Sequence, residues 1–233
     1  MCPSTYPSKL MLSSFSLISP SRYRGFIQIA VGPVDQLQTF DVHEHLVTSR
    51  SLFFKHAMSG AWKESHDRLI KLPEDDPMTF QIYVHLLYTN TLAVVLDLPP
   101  DKDNGTEEHK ALAKLYVLAE KLQDVDTKNA VVEAMVLASR QLRKENSYYT
   151  PGCDTVQIVY AGTMPGSPMR RLLVDFYTYR ADKGWLSVEN ETWPCEFLHE
   201  FAVRLLEGRE CPEDVTTTGD ASRYMEGRDA ASI

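Results

Sequence analysis

Between Phe40 and Thr91 the chain switches repeatedly between the two-residue period of a strand and the period of a helix. This switching limits the possible folds more than any other feature. Phe40 and Val42 alternate with polar neighbours, as a half-buried strand requires. Ser51 precedes Leu52-Phe53-Phe54 and suits an N-cap before an apolar turn, and Ser59-Gly60 stops that helix. Arg68 to Leu72 is short and alternating, hence a strand. Pro73-Glu74-Asp75-Asp76-Pro77 is an acidic turn ending in a proline suited to a helix start. Phe80, Tyr83, Val84 and Leu87 then form one apolar helical face. Two short helices and a longer one thus interleave with strands, and the expected class is α/β, a small mixed sheet flanked by helices.

The flanking segments extend this reading. Residues 1–21 are rich in serine and proline without periodicity and are expected to be a disordered tail. Phe26 to Val31 is the first strand, ended by Gly32-Pro33 and paired as a hairpin with Gln38 to Val42. Leu92 to Leu96 suits another short strand, and Pro99 to Gly105 an exposed acidic loop. Thr106-Glu107-Glu108 opens a helix that buries Leu112, Leu115, Tyr116, Ala119 and Leu122. Asp126 is expected to cap the next, with Val131, Ala134, Met135, Ala138 and Leu142 inside.

After a polar linker, three more helices follow. Asp154 is expected to cap one that runs through Tyr160. Ser167-Pro168 starts another, burying Met169, Leu172, Leu173 and Phe176. Pro194 starts the third, burying Leu198, Phe201, Ala202 and Leu205 and ending at Gly208. Residues 209–233 turn polar and aperiodic. The expected organisation is therefore a tail (1–21), an α/β domain (22–143), an α-helical C-terminal extension (144–208) and a second disordered tail (209–233).

Charge and cysteine usage narrow the function classes. The formal charge is −8, which argues against a direct nucleic-acid binder, since such proteins normally carry a basic face. The four cysteines form no Cys-x-x-Cys pair and no disulfide framework, so they read as reduced thiols of an intracellular protein, cytoplasmic or nuclear. No stretch is apolar enough for a membrane span, and no secretory signal is expected.

Several residues together resemble the BTB/POZ domain. They are Val42-His43 opening a helix, Ser49-Arg50-Ser51 followed by Phe53-Phe54, and Trp62-Lys63-Glu64-Ser65. The match continues with Ile70 to Pro77, Phe80 and Leu87-Tyr88-Thr89. Leu115 to Leu122 resembles the helix that follows an insert in that family. Val159-Tyr160 and Thr163-Met164-Pro165-Gly166-Ser167-Pro168 resemble a segment of its fungal members. The resemblance implies a BTB/POZ fold with a helical C-terminal extension and a non-catalytic role in binding other proteins. In that family a hydrophobic-x-Glu triplet placed like Trp62-Lys63-Glu64 contributes to docking a cullin scaffold. This implies a substrate-recruiting adaptor of a cullin-based ubiquitin ligase. The alternative within the family is a scaffold in transcriptional regulation acting through a DNA-binding partner. Homodimerisation stays open: the charged pair of strongly dimerising members is absent, Gly25 and Asp41 standing at those places, and Glu44 replaces a common lysine.

Enzyme chemistry has few footholds. His43-Glu44-His45 on a strand would put both imidazoles on one face and suit zinc or iron. On a helix the rings would point about 200° apart. A helix is expected to follow Val42, and Val47 and Thr48 stand where later ligands of a zinc hydrolase would fall, so no metal or other cofactor is expected. His56 and His66 read as solvated. Cys195 and His199 are one helical turn apart and could pair, but no third group orients them, and Cys153 has no histidine nearby in sequence. Nucleophile-elbow, dinucleotide and P-loop motifs are missing, so no enzyme is expected.

Overall fold

The computed structural model describes residues 25–60, 63–92, 105–143, 148–186 and 192–208. Among them are one three-stranded mixed sheet and nine α-helices, so the chain is mixed α/β and mostly helical. The tails expected at 1–21 and 209–233 lie outside the described residues. So do most of the strand expected at 92–96, most of the loop expected before Gly105, and residues 144–147 of the linker.

Strand β1 (Phe26–Val31) lies at the centre of the sheet. It pairs antiparallel with β2 (Gln38–His43), Phe26 facing His43, and parallel with β3 (Leu69–Leu72), Ile29 facing Ile70. A central strand is apolar on its covered face, and Ile27, Ile29 and Val31 are fully buried. Gly32 ends β1 at φ +100°, and a Cβ there would lie 2.9 Å from the Pro77 ring, so only glycine lets the sheet meet the next long helix this closely.

The helices of the first half are α1 (Glu44–Arg50), α2 (Leu52–Met58), α3 (Lys63–Asp67) and α4 (Pro77–Thr89). The Ser51 hydroxyl accepts from Phe54 N as the expected cap of α2. Asp76 caps α4 by accepting from the Met78 and Thr79 amides, with Pro77 in the first turn. Sequence periodicity did not anticipate α3, a helix of five residues, too short to show a period. Arg68, expected to begin β3, instead takes φ +53° and turns the chain from α3 into the strand.

The second half is built on α5 (Thr106–Leu122), whose Leu112, Leu115, Tyr116, Ala119 and Leu122 are all buried. α6 (Val125–Arg140) returns along it. Its N-cap is Asp124, not the expected Asp126. Asp124 is the last extended residue and accepts from Thr127 N at 2.9 Å, while Asp126 sits inside the first turn with an exposed carboxylate. Leu142, expected inside, follows the helix end and is 49% exposed.

α7 (Cys153–Gly162) packs against α5, followed by α8 (Pro168–Arg180), a 3-10 helix at Lys183–Leu186, and α9 (Cys195–Glu207). Gly152 rather than Asp154 occupies the N-cap of α7. Asp154 lies in the first turn, 2.9 Å from Lys110 Nζ of α5. α9 is rotated from the expected face: Phe197 and Phe201 are buried, whereas Leu198, Ala202 and Leu205 are exposed. Its two phenylalanines join an aromatic cluster, Phe197 lying 5.1 Å from Tyr177 and 5.4 Å from Trp193 between ring centroids. Aromatic rings bury more surface than leucines and decide which face turns inward. Arg170 holds these helices together although it is only 2% exposed. Its guanidinium donates to the carbonyls of Tyr160 and Thr163 at the end of α7 and to Glu196 of α9. A buried charge is tolerated only with such complete pairing.

Candidate protein-docking surface

The residues that carry the cullin expectation fall where α2 meets α3. Ser51 begins this region: besides capping α2, its hydroxyl donates to the Leu122 carbonyl at 2.5 Å, pinning α2 to the end of α5. Phe54 turns inward and is fully buried, edge-on to Phe53 and near Phe80. With that face committed, Leu52, Lys55, His56 and Ser59, which share the opposite helical face, are exposed. The Ser65 hydroxyl donates to the Met58 carbonyl at 3.2 Å and closes the connection from α2 to α3.

Trp62 lies outside the described residues. Lys63 is the first residue of α3, and Glu64 follows in its first turn, exposed and with no hydrogen-bond or ion-pair partner among the described residues. An exposed side-chain carboxylate such as that of Glu64 can accept a charge-assisted hydrogen bond from a partner's arginine or lysine.

A buried polar cluster holds this surface in place, and sequence reading missed it. Asp124 is fully buried. It accepts from Thr127 Oγ1 at 2.8 Å and the Tyr83 hydroxyl at 3.1 Å, and lies 3.4 Å from the Arg50 guanidinium. Burial, and then the neighbouring Asp124 charge, push the Tyr83 phenol up, so it stays a neutral donor. The cluster ties α1, α4 and α6 at one point, so α2 starts from a fixed base. The spacing of Asp124 and Thr127 is that of an N-cap and its amide donor, a usable signal. Nothing in the sequence links Asp124 to Arg50.

The other candidate residues separate. His43 sits at the strand–helix junction, as expected, with Nδ1 2.7 Å from the Tyr88 hydroxyl and its ring 4.2 Å from that of Phe26. His45 points out from α1 and is exposed. The two rings therefore do different work, and among the described residues no group of three or more His, Cys, Asp and Glu could hold a metal ion. His56 and His66 are both exposed. Cys195 and His199 are exposed on α9 and share no hydrogen bond, while Cys153 is buried beside the Thr192 carbonyl.

Glu44 has a specific local role. Its carboxylate pairs with Arg68 at 2.7 Å, and the same guanidinium donates to the Phe26 carbonyl. Gly25 lies beneath this pair, where a Cβ would stand 3.1 Å from Arg68 Nη2. Asp41 is exposed on β2 opposite Gln28.

No protein-family model matches the chain, and no curated protein matches it. Among the described residues no helix is long and apolar enough to cross a membrane.

Proposed function

We propose that this protein is a non-catalytic interaction module of the BTB/POZ type that serves as a substrate-recruiting adaptor for a cullin-based ubiquitin ligase. The observation that carries the reading is Glu64, exposed in the first turn of α3 with no partner among the described residues, two positions after Trp62 in the sequence. An aromatic residue two positions before an exposed carboxylate in the chain suits an interface, where a large apolar anchor supplies affinity and a charge-assisted hydrogen bond supplies register.

Several residues that carry the family resemblance also support the reading, because they stand at junctions of the chain. His43 closes β2 onto α1, Arg50 joins the Asp124 cluster, Ser51 caps α2, and Asp76-Pro77 starts α4. Residues at turns set the direction of the backbone, so a likeness at these positions favours a similar chain path.

The test is affinity capture from cells of the source organism with wild type and a Trp62→Ala/Glu64→Ala double variant. A cullin identified among the proteins captured by wild type, and lost with a variant of unchanged circular dichroism, is the expected result. Equal recovery with both, or no cullin with either, would remove the ligase reading and leave an interaction scaffold.

A further inference from the structure

Two arginines end parallel stories in this fold. Arg140 is the last residue of α6 and Arg180 the last of α8, and both line one open cleft of about 480 Å³ with Tyr148, Thr150 and Trp185. A cation in the last turn offsets the helix dipole, and Arg180 also donates through Nη1 to the Ser139 carbonyl at 3.0 Å. These roles leave most of both forks unused. Neither guanidinium has a carboxylate within 4.0 Å among the described residues, although Arg50, Arg68, Arg143, Arg170 and Arg204 all do. In a chain of net charge −8, two arginines that line one cleft with no carboxylate partner among the described residues make a local positive patch.

The rest of the lining points to a macromolecular ligand. Tyr148 is 63% exposed, and Trp185 is half-buried with its ring edge-on to Tyr177 at 5.6 Å. Arg180 is also braced, its guanidinium 5.4 Å from the centroid of the Phe176 ring. Arginine, tyrosine and tryptophan are the residues most enriched where proteins bind proteins, since each presents a large and rather rigid contact area. Thr150 adds a hydroxyl that can donate to an anion or accept from a backbone amide.

We propose that this cleft binds an acidic segment of a partner protein, with Arg140 and Arg180 receiving its carboxylates and Tyr148 and Trp185 covering the intervening aliphatic carbons. The cleft lies in the C-terminal half, whereas Glu64 lies in the first, so the protein would have two separate docking sites. In this it extends the adaptor reading and gives it a substrate-side surface, but the binding event does not require a cullin.

The purified full chain is titrated against a fluorescein-labelled peptide rich in Asp and Glu, followed by anisotropy. A peptide of equal length with Asn and Gln instead, and a single-stranded oligonucleotide of equal charge, serve as controls. The acidic peptide is expected to bind in a salt-sensitive manner, and Arg140→Glu to weaken it by about tenfold or more. Arg140 is exposed and makes no side-chain bond among the described residues, so this variant keeps its fold. Arg171→Glu, an exposed arginine on α8 away from this cleft, should leave affinity unchanged after the shared charge effect is removed in moderate salt. Equal binding of the amide peptide, an indifferent Arg140→Glu, or an oligonucleotide that binds as tightly through the same arginines would overturn the proposal. Failure here leaves the capture experiment at Trp62 and Glu64 unaffected, and the converse also holds.

Discussion

His109 shows how one residue can set a pH limit for the whole fold. It is fully buried in α5, with Nε2 3.5 Å from Ser139 Oγ and Nδ1 lacking a partner among the described residues. Burial, reinforced by the Arg143 charge, pushes its imidazole down to about 4 from the ordinary 6.5. The sign follows directly. Above pH 6.5 the ring is neutral in both folded and unfolded chains and contributes no pH dependence. Between 6.5 and 4 the unfolded chain takes up the proton and the folded one does not, so stability falls with pH by up to about 3 kcal/mol. His109→Leu should be close to wild type near pH 7 and lose this part of the acid sensitivity. Urea unfolding of both proteins at a series of pH values checks it, and parallel curves through that window would contradict the assignment. The sequence marked His43, His45, His56 and His66 for attention and passed over His109, because burial of a lone polar residue in an apolar stripe leaves no sequence signal.

Between elements, α7 approaches α5 closely at Gly162. A Cβ placed on Gly162 would lie 2.3 Å from Val117 Cγ1 and 2.6 Å from Cγ2, a clash with a branched side chain on a rigid helix. Gly162→Ala should therefore destabilise by roughly 1–3 kcal/mol, despite the better helix propensity of alanine. Adding Val117→Ala should recover much of that loss, a positive coupling measurable in a double-mutant cycle by chemical denaturation. Additive effects would show that the helices can move apart. Element existence was mostly legible from sequence: strands β1 to β3, the cap at Ser51, the helix start at Pro77 and the apolar stripe of α5 all appear where periodicity and turn residues put them. The failures are physical ones of neighbourhood. Asp124 outcompetes Asp126 because Thr127 and Tyr83 converge on it, and α9 turns Phe197 inward because Tyr177 and Trp193 are there to meet it.

At the scale of the whole molecule, the expected boundary at residue 143 crosses a continuous core. Buried Leu118 and Tyr116 of α5, Val156 and Val159 of α7, and Leu173 and Phe197 beyond them belong to one apolar cluster. Polar ties span the same line: Lys110 to Asp154, Tyr116 to Ser167 at 3.1 Å between hydroxyl oxygens, and Arg180 to the Ser139 carbonyl. Shared burial of this kind couples the unfolding of the parts it joins. In a Trp62→Phe background, fluorescence from Trp185 and Trp193 should report the C-terminal helices alone. Its urea transition is expected to coincide with that of far-ultraviolet circular dichroism. Separate transitions would make residues 144–208 an independently folding extension. By itself the sequence determined the alternation of strand and helix, the cap at Ser51 and the mixed α/β class, because periodicity and turn chemistry act between residues a few positions apart. Only the tertiary structure decided which aspartate caps α6, which face of α9 is buried, and that Arg140 and Arg180 share a cleft while Glu64 is exposed at the start of α3. Those outcomes depend on which distant side chains arrive at the same place, and no local pattern in the chain encodes that.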